Sequence, residues 1–177
     1  MTGAVLIDMA YEGRLTDGPN GISVDVGPTG FVPADALMDR VTQYPDRTLE
    51  WWLRRGGPDQ DDIVEFLVDR GDWERLPNVP FTRYEYAIPP QRAIDVQAVE
   101  RAVRGHVSDA RTCALACVAV EARLVPSVTD FHESLIGRTG SAEWLVHCVL
   151  EYMRAARADR AAVASATAAA MRTAPPR

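Results

Sequence analysis

The sequence contains no lysine, and all nineteen of its basic residues are arginine. Twenty-five acidic residues leave a formal charge of −6 and a pI of about 5.1. Nucleic acids and anionic bilayers attract proteins through a cationic surface, which this charge balance opposes. We therefore expect no nucleic-acid partner, unless a local basic face outweighs the total charge.

Cysteine is scarce, and long apolar runs are missing. Cys113, Cys117 and Cys148 are an odd number in apolar helical segments, which predicts reduced thiols packed in a core and a cytoplasmic protein. No stretch of about eighteen residues is free of charge, and the N-terminus has no signal-peptide pattern. Any membrane contact is therefore expected to be peripheral.

Metal-binding motifs are missing as well. The three histidines are scattered over separate segments, and none stands at metal-ligand spacing from a cysteine or a second histidine. Cys113 and Cys117 share one helix face, but they have no third or fourth ligand nearby, which favours two core thiols. Glu143 and His147 stand four residues apart, a spacing that favours a solvated helix-face pair over an acid–base couple. We expect no metal and no cofactor.

Motifs of nucleophilic and phosphate chemistry are also missing. The sequence has neither a G-x-S-x-G elbow nor a Walker loop. Residues 27–30 superficially resemble a phosphate cradle, but Pro28 removes one backbone donor, which favours a plain turn. We identify no catalytic residue and predict that the protein is not an enzyme.

What the sequence does contain is a unit that occurs twice. An amphipathic helix ends at a glycine and is followed by a strand, a turn rich in Gly, Pro and Asn, and a second strand. The first copy places its helix at about 3–12 and a strand at 22–26; the second places its helix at 59–70 and its strands within 73–76 and 81–86. Each copy is similar to the helix and wing of a winged helix.

The remaining segments show helical periodicity. It predicts helices at about 33–44, at 48–55 with Asp46 as N-cap, at 91–105, at 111–123 with Ser108 or Asp109 as N-cap, at 129–136, and from 141 onward. Helix 111–123 is apolar on nearly every side and should form the buried centre. We predict a mainly α fold, a compact helical domain with two short β-hairpins following helices. A single domain spans 1–160, and an Ala-rich tail, 161–177, is expected to fray.

The second hairpin has an unusually apolar tip. It carries Val79, Pro80 and Phe81, followed by Tyr84, where a solvated wing would carry more polar side chains. One interpretation is that these residues contact another protein or a bilayer interface. The alternative is that the hairpin folds back onto the core.

Five motifs in register resemble the Golgi phosphoprotein 3 family. They are IDMAYEGRL at 7–15, PTG at 28–30, RTLEWWL at 47–53, LVDRG at 67–71 and DART at 109–112. The resemblance covers about residues 3–125, with an expected extension to the end of the chain, and implies a mainly helical peripheral membrane protein. Eukaryotic members bind phosphatidylinositol 4-phosphate and act as adaptors that retain glycosyltransferases in the Golgi; actinobacteria have relatives of similar sequence.

The sequence departs from this family at the lipid-headgroup pocket. The family takes a Trp from a helix that precedes the matched segment, which we expect to be absent here, and one pocket arginine aligns near Thr2. The other arginines fall where this sequence has Asp59, Gln60, Asp61 and Asp62. Carboxylates repel a phosphomonoester, which binds to Arg or Lys and helix N-termini. The resemblance therefore supplies no headgroup residue here.

These observations lead to a first hypothesis and two alternatives. The first is a non-enzymatic peripheral membrane or adaptor protein with a degraded headgroup pocket, for which an anionic lipid or phosphoinositide and a protein are the expected partners. The second is a protein-interaction or homo-oligomeric assembly module without lipid binding. The third is a winged-helix nucleic-acid binder using a basic face formed by Arg54, Arg55, Arg70, Arg75 and Arg83.

Overall fold

A computed structural model describes residues 1–18, 21–25, 27–75, 86–87, 93–106, 108–125 and 132–173. Within these residues the chain is mainly α-helical and contains two antiparallel strand pairs, each of which follows a helix. The predicted fold class is confirmed.

The first helix–hairpin unit consists of α1 (Thr2–Tyr11), β1 (Leu15–Gly18) and β2 (Gly21–Val24). In the antiparallel pair, Leu15 stands opposite Val24. Helix α1 is a core element because five of its ten residues are buried: Val5, Leu6, Ile7, Met9 and Ala10.

The second unit consists of α4 (Gln60–Asp69), β3 (Glu74–Arg75) and β4 (Tyr86–Ala87). The two strands pair in antiparallel fashion, with Arg75 opposite Tyr86. Residues 76–85 connect them and include the predicted contact residues, which lie outside the described part of the chain.

The two units end their helices in the same way. Gly13 and Gly71 have φ values of 70° and 74°, in the left-handed region where a side chain is unfavourable. The N–H of Gly13 donates to the Ala10 carbonyl at 3.1 Å, and the N–H of Gly71 donates to the Val68 carbonyl at 2.9 Å. The next N–H in each unit donates to a carbonyl five residues back. The two units therefore share the hydrogen bonds that end their helices as well as the predicted order of elements.

Between the units lie α2 (Val32–Gln43), α3 (Leu49–Trp51) and a π-helical turn (Trp52–Gly56). The predicted N-cap of the second segment, Asp46, is wrong. Thr48 caps it instead, since its hydroxyl accepts a hydrogen bond from the Trp51 N–H at 3.3 Å. Thr48 directly precedes the helix with extended backbone, the position from which a side chain reaches the first helical N–H groups.

The described part of the C-terminal half contains four helices and a short 3₁₀ turn, Gly140–Ala142. Of the two candidate caps before the second of these helices, Asp109 is the cap, because its carboxylate accepts from the Thr112 N–H at 2.9 Å. The helices are α5 (Ala93–Val103), α6 (Ala110–Glu121), α7 (His132–Ile136) and α8 (Glu143–Thr173).

Helix α6 is central, as predicted, and contacts α1, α5, α7 and α8. Cys113 and Cys117 are fully buried on it, whereas Leu115 is 43% exposed, so its apolar surface is not buried on every side. The prediction that all three thiols lie in the core is wrong for Cys148, which is exposed. Each residue turns a helix by about 100°, so Val149 faces the core while Cys148 faces a gap beside α3.

Helix α8 continues through the Ala-rich tail to Thr173. The predicted boundary at residue 160 and the predicted fraying of the tail stay predictions. Among the described helices, α8 included, none has the length and apolar character needed to cross a bilayer.

Candidate binding groove

An open groove of about 700 Å³ lies between the first hairpin, the segment joining α2 to α3, and the start of α8. We call it the hairpin groove. Its volume is in the range of ligand-binding clefts. Its apolar lining comprises Ile22, Val24, Val41, Pro45, Leu49, Trp52 and Trp144.

Trp52 lines this groove and is held in place by its neighbour Trp51, which is not among the lining residues. Trp52 is only 2% exposed, and Trp51 packs against it edge-on, with ring centroids 4.8 Å apart. A methyl group on Gly56 would overlap both rings, so this glycine makes room for the pair. The Arg47 guanidinium lies 5.0 Å from the centre of the Trp51 ring, a cation–π distance. The RTLEWWL motif therefore contributes Arg47, Thr48, Leu49 and Trp52 to the lining of the groove.

A second groove, of about 340 Å³, adjoins the first between α3 and α8. We call it the α3–α8 groove. Leu49 and Cys148 line both grooves. The other residues lining the second groove are Glu50, Leu53, Glu151, Tyr152 and Ala155.

The charges around these grooves are mostly negative. Exposed Asp17 and Asp46 line the hairpin groove, Glu50 and Glu151 line the α3–α8 groove, and Arg47 is the basic residue among the lining residues. Although Cys148 is exposed, the groove partly desolvates its thiol and so raises its pKa, and the charges of Glu151 and Asp17 raise it further. Carboxylates from α8 and from the first hairpin therefore act on the same thiol. Both grooves combine apolar lining residues with acidic ones.

The thiols are poorly suited to nucleophilic chemistry. Burial raises the pKa of Cys113, and it raises the pKa of Cys117 to about 12. With Cys148 shifted in the same direction, all three thiols stay protonated at neutral pH, whereas the thiolate is the reactive form. In the part of the chain that the structure describes, no three His, Cys, Asp or Glu side chains cluster as a metal site requires.

Thr2 lies close to the start of α4, the two places that the family resemblance relates to a headgroup pocket. Thr2 contacts Gly57, since a methyl group on Gly57 would overlap the Thr2 side chain, and Gly57 stands two residues before the α4 N-cap. Asp59 is that cap, and its carboxylate accepts a hydrogen bond from the Asp61 N–H at 3.1 Å. Asp59, Asp61 and Asp62 are all exposed. A carboxylate of the chain itself thus occupies the helix N-terminus that would otherwise attract a phosphate.

The structure describes some of the remaining candidate residues and not others. Val79, Pro80, Phe81 and Tyr84 lie outside the described residues, so their contact role stays a prediction. Glu143 and His147 are both exposed on α8.

The proposed basic face for nucleic acid is only partly observable. Arg54 and Arg55 are exposed at the end of the π-helical turn. Arg70 pairs with Asp72, and its guanidinium lies 5.5 Å from the centre of the Phe66 ring. One of the five arginines is therefore already occupied by a carboxylate and an aromatic ring.

Sequence reasoning missed both grooves. Trp144 and Cys148 stand four residues apart on α8, and Cys148 was assigned to the core. Their position opposite Ile22 and Val24 depends on how α8 packs beside the first hairpin. No local pattern encodes that placement.

Taken together, these elements define a mainly α-helical protein in which short hairpins follow capped helices and an acidic, aromatic groove opens beside the first hairpin. The sequence model of Golgi phosphoprotein 3 (GPP34) matches residues 1–174, nearly the whole chain. The chain belongs to the Golgi phosphoprotein 3 family. No curated protein and no solved structure matches it significantly.

Proposed function

We propose that the protein is a non-enzymatic adaptor that binds an apolar, basic segment of another protein in the hairpin groove. The observation that supports this proposal is the groove itself, which combines an aromatic and aliphatic wall with an acidic rim. An apolar side chain fits the wall formed by Trp52 and Trp144, while a neighbouring Arg or Lys meets Asp17 or Asp46. The open shape suits an extended peptide that crosses the surface.

The charges around the other candidate site favour protein over phosphate as the ligand. Around Thr2 and Gly57 the nearest helix N-terminus is capped by Asp59 and flanked by Asp61 and Asp62. A phosphomonoester carries nearly two negative charges and requires Arg or Lys there. We propose that this pocket is degraded and that headgroup recognition does not direct the protein to its partner.

A peptide-binding experiment tests the groove. The probe is a short, amidated, fluorescein-labelled peptide of alternating leucine and arginine, and binding is followed by fluorescence anisotropy. Replacing Asp17→Asn and Asp46→Asn together should weaken binding about two- to tenfold, because two attractive charges at the rim are lost. Binding should also weaken as salt is added.

The matched control is the pair Asp59→Asn and Asp61→Asn, which removes the same charge from the start of α4. It should leave the affinity unchanged. A peptide of alternating leucine and glutamate should not bind. If both double variants lost the same affinity, the total charge of the protein would account for the attraction. That result would contradict the assignment of the peptide to the groove.

A second candidate function, membrane contact, is favoured by the second hairpin. The pairing of β3 with β4 makes residues 76–85 a connecting segment, and its sequence contains Val79, Pro80 and Phe81. Partition of such apolar side chains into the bilayer interface does not require a headgroup pocket.

Vesicle flotation tests membrane contact. Vesicles of phosphatidylcholine, with or without phosphatidylserine or phosphatidylinositol 4-phosphate, are floated with the wild type and with Phe81→Ser. We expect the wild type to float with the vesicles. Phosphatidylinositol 4-phosphate should not increase the floated fraction, and Phe81→Ser should reduce it. Flotation that requires the phosphoinositide would show a working headgroup site, and failure to float with every vesicle composition would exclude membrane contact.

A further inference from the structure

The hairpin groove and the α3–α8 groove share one face of α8. The residues of α8 that line one groove or the other are Trp144, Cys148, Glu151, Tyr152 and Ala155. They follow one another in steps of three or four residues, so they form a single stripe along the helix. Leu145 and Val149 lie on another side of α8, which is buried in the core.

A second segment of the chain also lines both grooves. Leu49 and Trp52 line the hairpin groove, and Leu49 and Leu53 line the α3–α8 groove. The two grooves therefore meet at Leu49 and Cys148, which belong to both, and together they form one channel along α8. We call it the α8 channel. Its stripe on α8 runs from Trp144 to Ala155, about 16 Å at roughly 1.5 Å per residue.

Carboxylates line both parts of the α8 channel. They are Asp17 and Asp46 in the hairpin groove and Glu50 and Glu151 in the α3–α8 groove, and all four side chains are exposed. The charges of Asp17 and Glu151 both raise the pKa of the Cys148 thiol, so negative charge from each groove acts where the two grooves meet. The basic lining residue, Arg47, has its guanidinium against the Trp51 ring. The channel thus favours a cationic ligand along its whole length.

We propose that one extended segment of a partner protein occupies the whole α8 channel, with apolar side chains in both grooves and basic side chains beside the carboxylates of both. This inference rests on the proposed function and adds a second binding site, the α3–α8 groove. Leu53, Tyr152 and Ala155 supply the apolar surface of this second site. At roughly 3.3 Å per residue, about five extended residues cover the stripe on α8.

Two peptides of equal length test the second site. The full peptide alternates leucine and arginine over six residues, whereas the half peptide keeps the first three of these residues and ends in Gly-Ser-Gly. Both are amidated and labelled with fluorescein, and binding is followed by fluorescence anisotropy. The full peptide should bind about tenfold more tightly, because its second half contacts the α3–α8 groove without a further loss of translational freedom.

The two grooves are separated by charge variants of the protein. The pair Glu50→Gln and Glu151→Gln should weaken binding of the full peptide about two- to tenfold and leave the half peptide unaffected. The matched control is the pair Glu65→Gln and Glu133→Gln, which removes the same charge from exposed positions on α4 and α7 that line neither groove. It should leave both affinities unchanged. The pair Asp17→Asn and Asp46→Asn should weaken both peptides.

Cys148 allows the path of the peptide to be tested. Cys113 and Cys117 are fully buried, so Cys148 is the exposed thiol. The full peptide is given one cysteine as its 2-thiopyridyl disulfide, either in place of the third residue or added at one end. The Cys148 thiolate attacks the peptide sulfur, a mixed disulfide forms, and 2-thiopyridone leaves. Mass spectrometry should show this product forming about fivefold faster or more from the central position. Cys148→Ser should abolish it.

A peptide of the same composition tests the extended conformation. With leucine at its first, fourth and fifth positions and arginine at the others, it presents an apolar face only as a helix. It should bind more weakly than the full peptide, whose alternation gives an apolar face to an extended chain. Tighter binding of the helical pattern would contradict an extended occupant and indicate a helix in the channel.

Three results would overturn the second site and leave the proposed function in place. One is a half peptide that binds as tightly as the full peptide. Another is a full peptide that responds to Asp17→Asn and Asp46→Asn but not to Glu50→Gln and Glu151→Gln. The third is disulfide formation at equal rates from every peptide position. If neither peptide responded to the Asp17→Asn and Asp46→Asn pair, the proposed function itself would be contradicted.

Discussion

At the scale of single residues, Tyr11 shows how one side chain joins distant parts of the chain. Its hydroxyl lies 2.9 Å from the Ala110 carbonyl and 2.7 Å from the Thr139 carbonyl, so its one proton is shared between two acceptors. Ala110 begins α6, and Thr139 directly precedes the 3₁₀ turn that leads into α8. Tyr11 therefore holds the end of α1 against the starts of two other helices.

We predict that Tyr11→Phe lowers the free energy of unfolding by about 1–2 kcal/mol at neutral pH, since two carbonyls lose their side-chain donor. Burial raises the pKa of Tyr11 from 10.0 to about 12. Above pH 10 the unfolded chain releases this proton while the folded chain keeps it, so the stability due to Tyr11 is complete below pH 10 and is lost as the pH rises toward 12. Urea unfolding of both proteins across this range measures the difference.

The stability difference between wild type and Tyr11→Phe should therefore shrink from pH 10 to pH 12. The other tyrosines and the cysteines are common to both proteins and cancel in the comparison. A difference that stays constant with pH would show that the hydroxyl is not held in the folded state as described.

The ends of helices were predicted from the sequence in some cases and not in others. Asp109 was one of two predicted caps, and Gly13 and Gly71 were predicted helix stops; all three do what their residue types favour within a few residues of chain. Asp46 was predicted as a cap and is not one, because the choice between it and Thr48 depends on where the helix begins. A sequence pattern predicts the start of a helix only to within a few residues.

At the scale of elements, the pairing of α6 with α8 depends on a buried carboxylate. Glu121, near the end of α6, is 7% exposed and accepts hydrogen bonds from two arginines of α8. The Arg154 Nε lies 3.0 Å and the Arg157 Nη2 lies 2.6 Å from its carboxylate oxygens. Arg157 also donates to the Glu121 backbone carbonyl. This cluster holds α8 against the end of α6.

We predict that Glu121→Gln lowers the free energy of unfolding by about 1–3 kcal/mol at neutral pH, because two arginines lose a charged acceptor. Burial would raise the pKa of Glu121, but the hydrogen bonds and charges of Arg154 and Arg157 outweigh it and hold the pKa below its ordinary value of 4.5. The stability that Glu121 contributes is complete above pH 4.5 and is lost as the pH falls through the lowered pKa.

Chemical unfolding between neutral pH and about pH 3 measures this effect. The wild type and Glu121→Gln should converge in stability as the pH falls, while the exposed control Glu143→Gln should follow the wild type throughout. A Glu121→Gln protein as stable as the wild type at neutral pH would contradict the role of the cluster.

The elements themselves were largely predictable. The repeated helix–hairpin unit, the central position of α6 and the long final helix follow from periodicity and glycine stops, which are short-range properties of the chain. The π-helical turn at Trp52–Gly56 was predicted as an ordinary helix end. Trp51 packs against Trp52 beside Gly56 in this turn, a contact that a periodic pattern does not contain.

At the scale of the whole molecule, the features proposed to bind partners are formed by different segments of the chain. The hairpin groove presents its apolar lining, Asp17 and Asp46 to a peptide. The predicted membrane-contact residues are in the second hairpin. Variants in one surface should therefore leave the binding measured at another unchanged, except where the two grooves adjoin at Leu49 and Cys148.

Local sequence patterns were sufficient to predict most of the helices and strands and the fold class, because caps, glycine stops and hydrophobic periods act between residues close along the chain. The motifs at 7–15, 28–30, 47–53, 67–71 and 109–112 were sufficient to identify the Golgi phosphoprotein 3 family. The contact of Thr2 with Gly57 and the outward orientation of Cys148 are evident in the folded structure alone. The folded structure also places Asp17 and Trp144 in one groove. These residues become neighbours because whole helices pack against one another. Many side-chain contacts across the core together determine that packing, and no local sequence pattern encodes it.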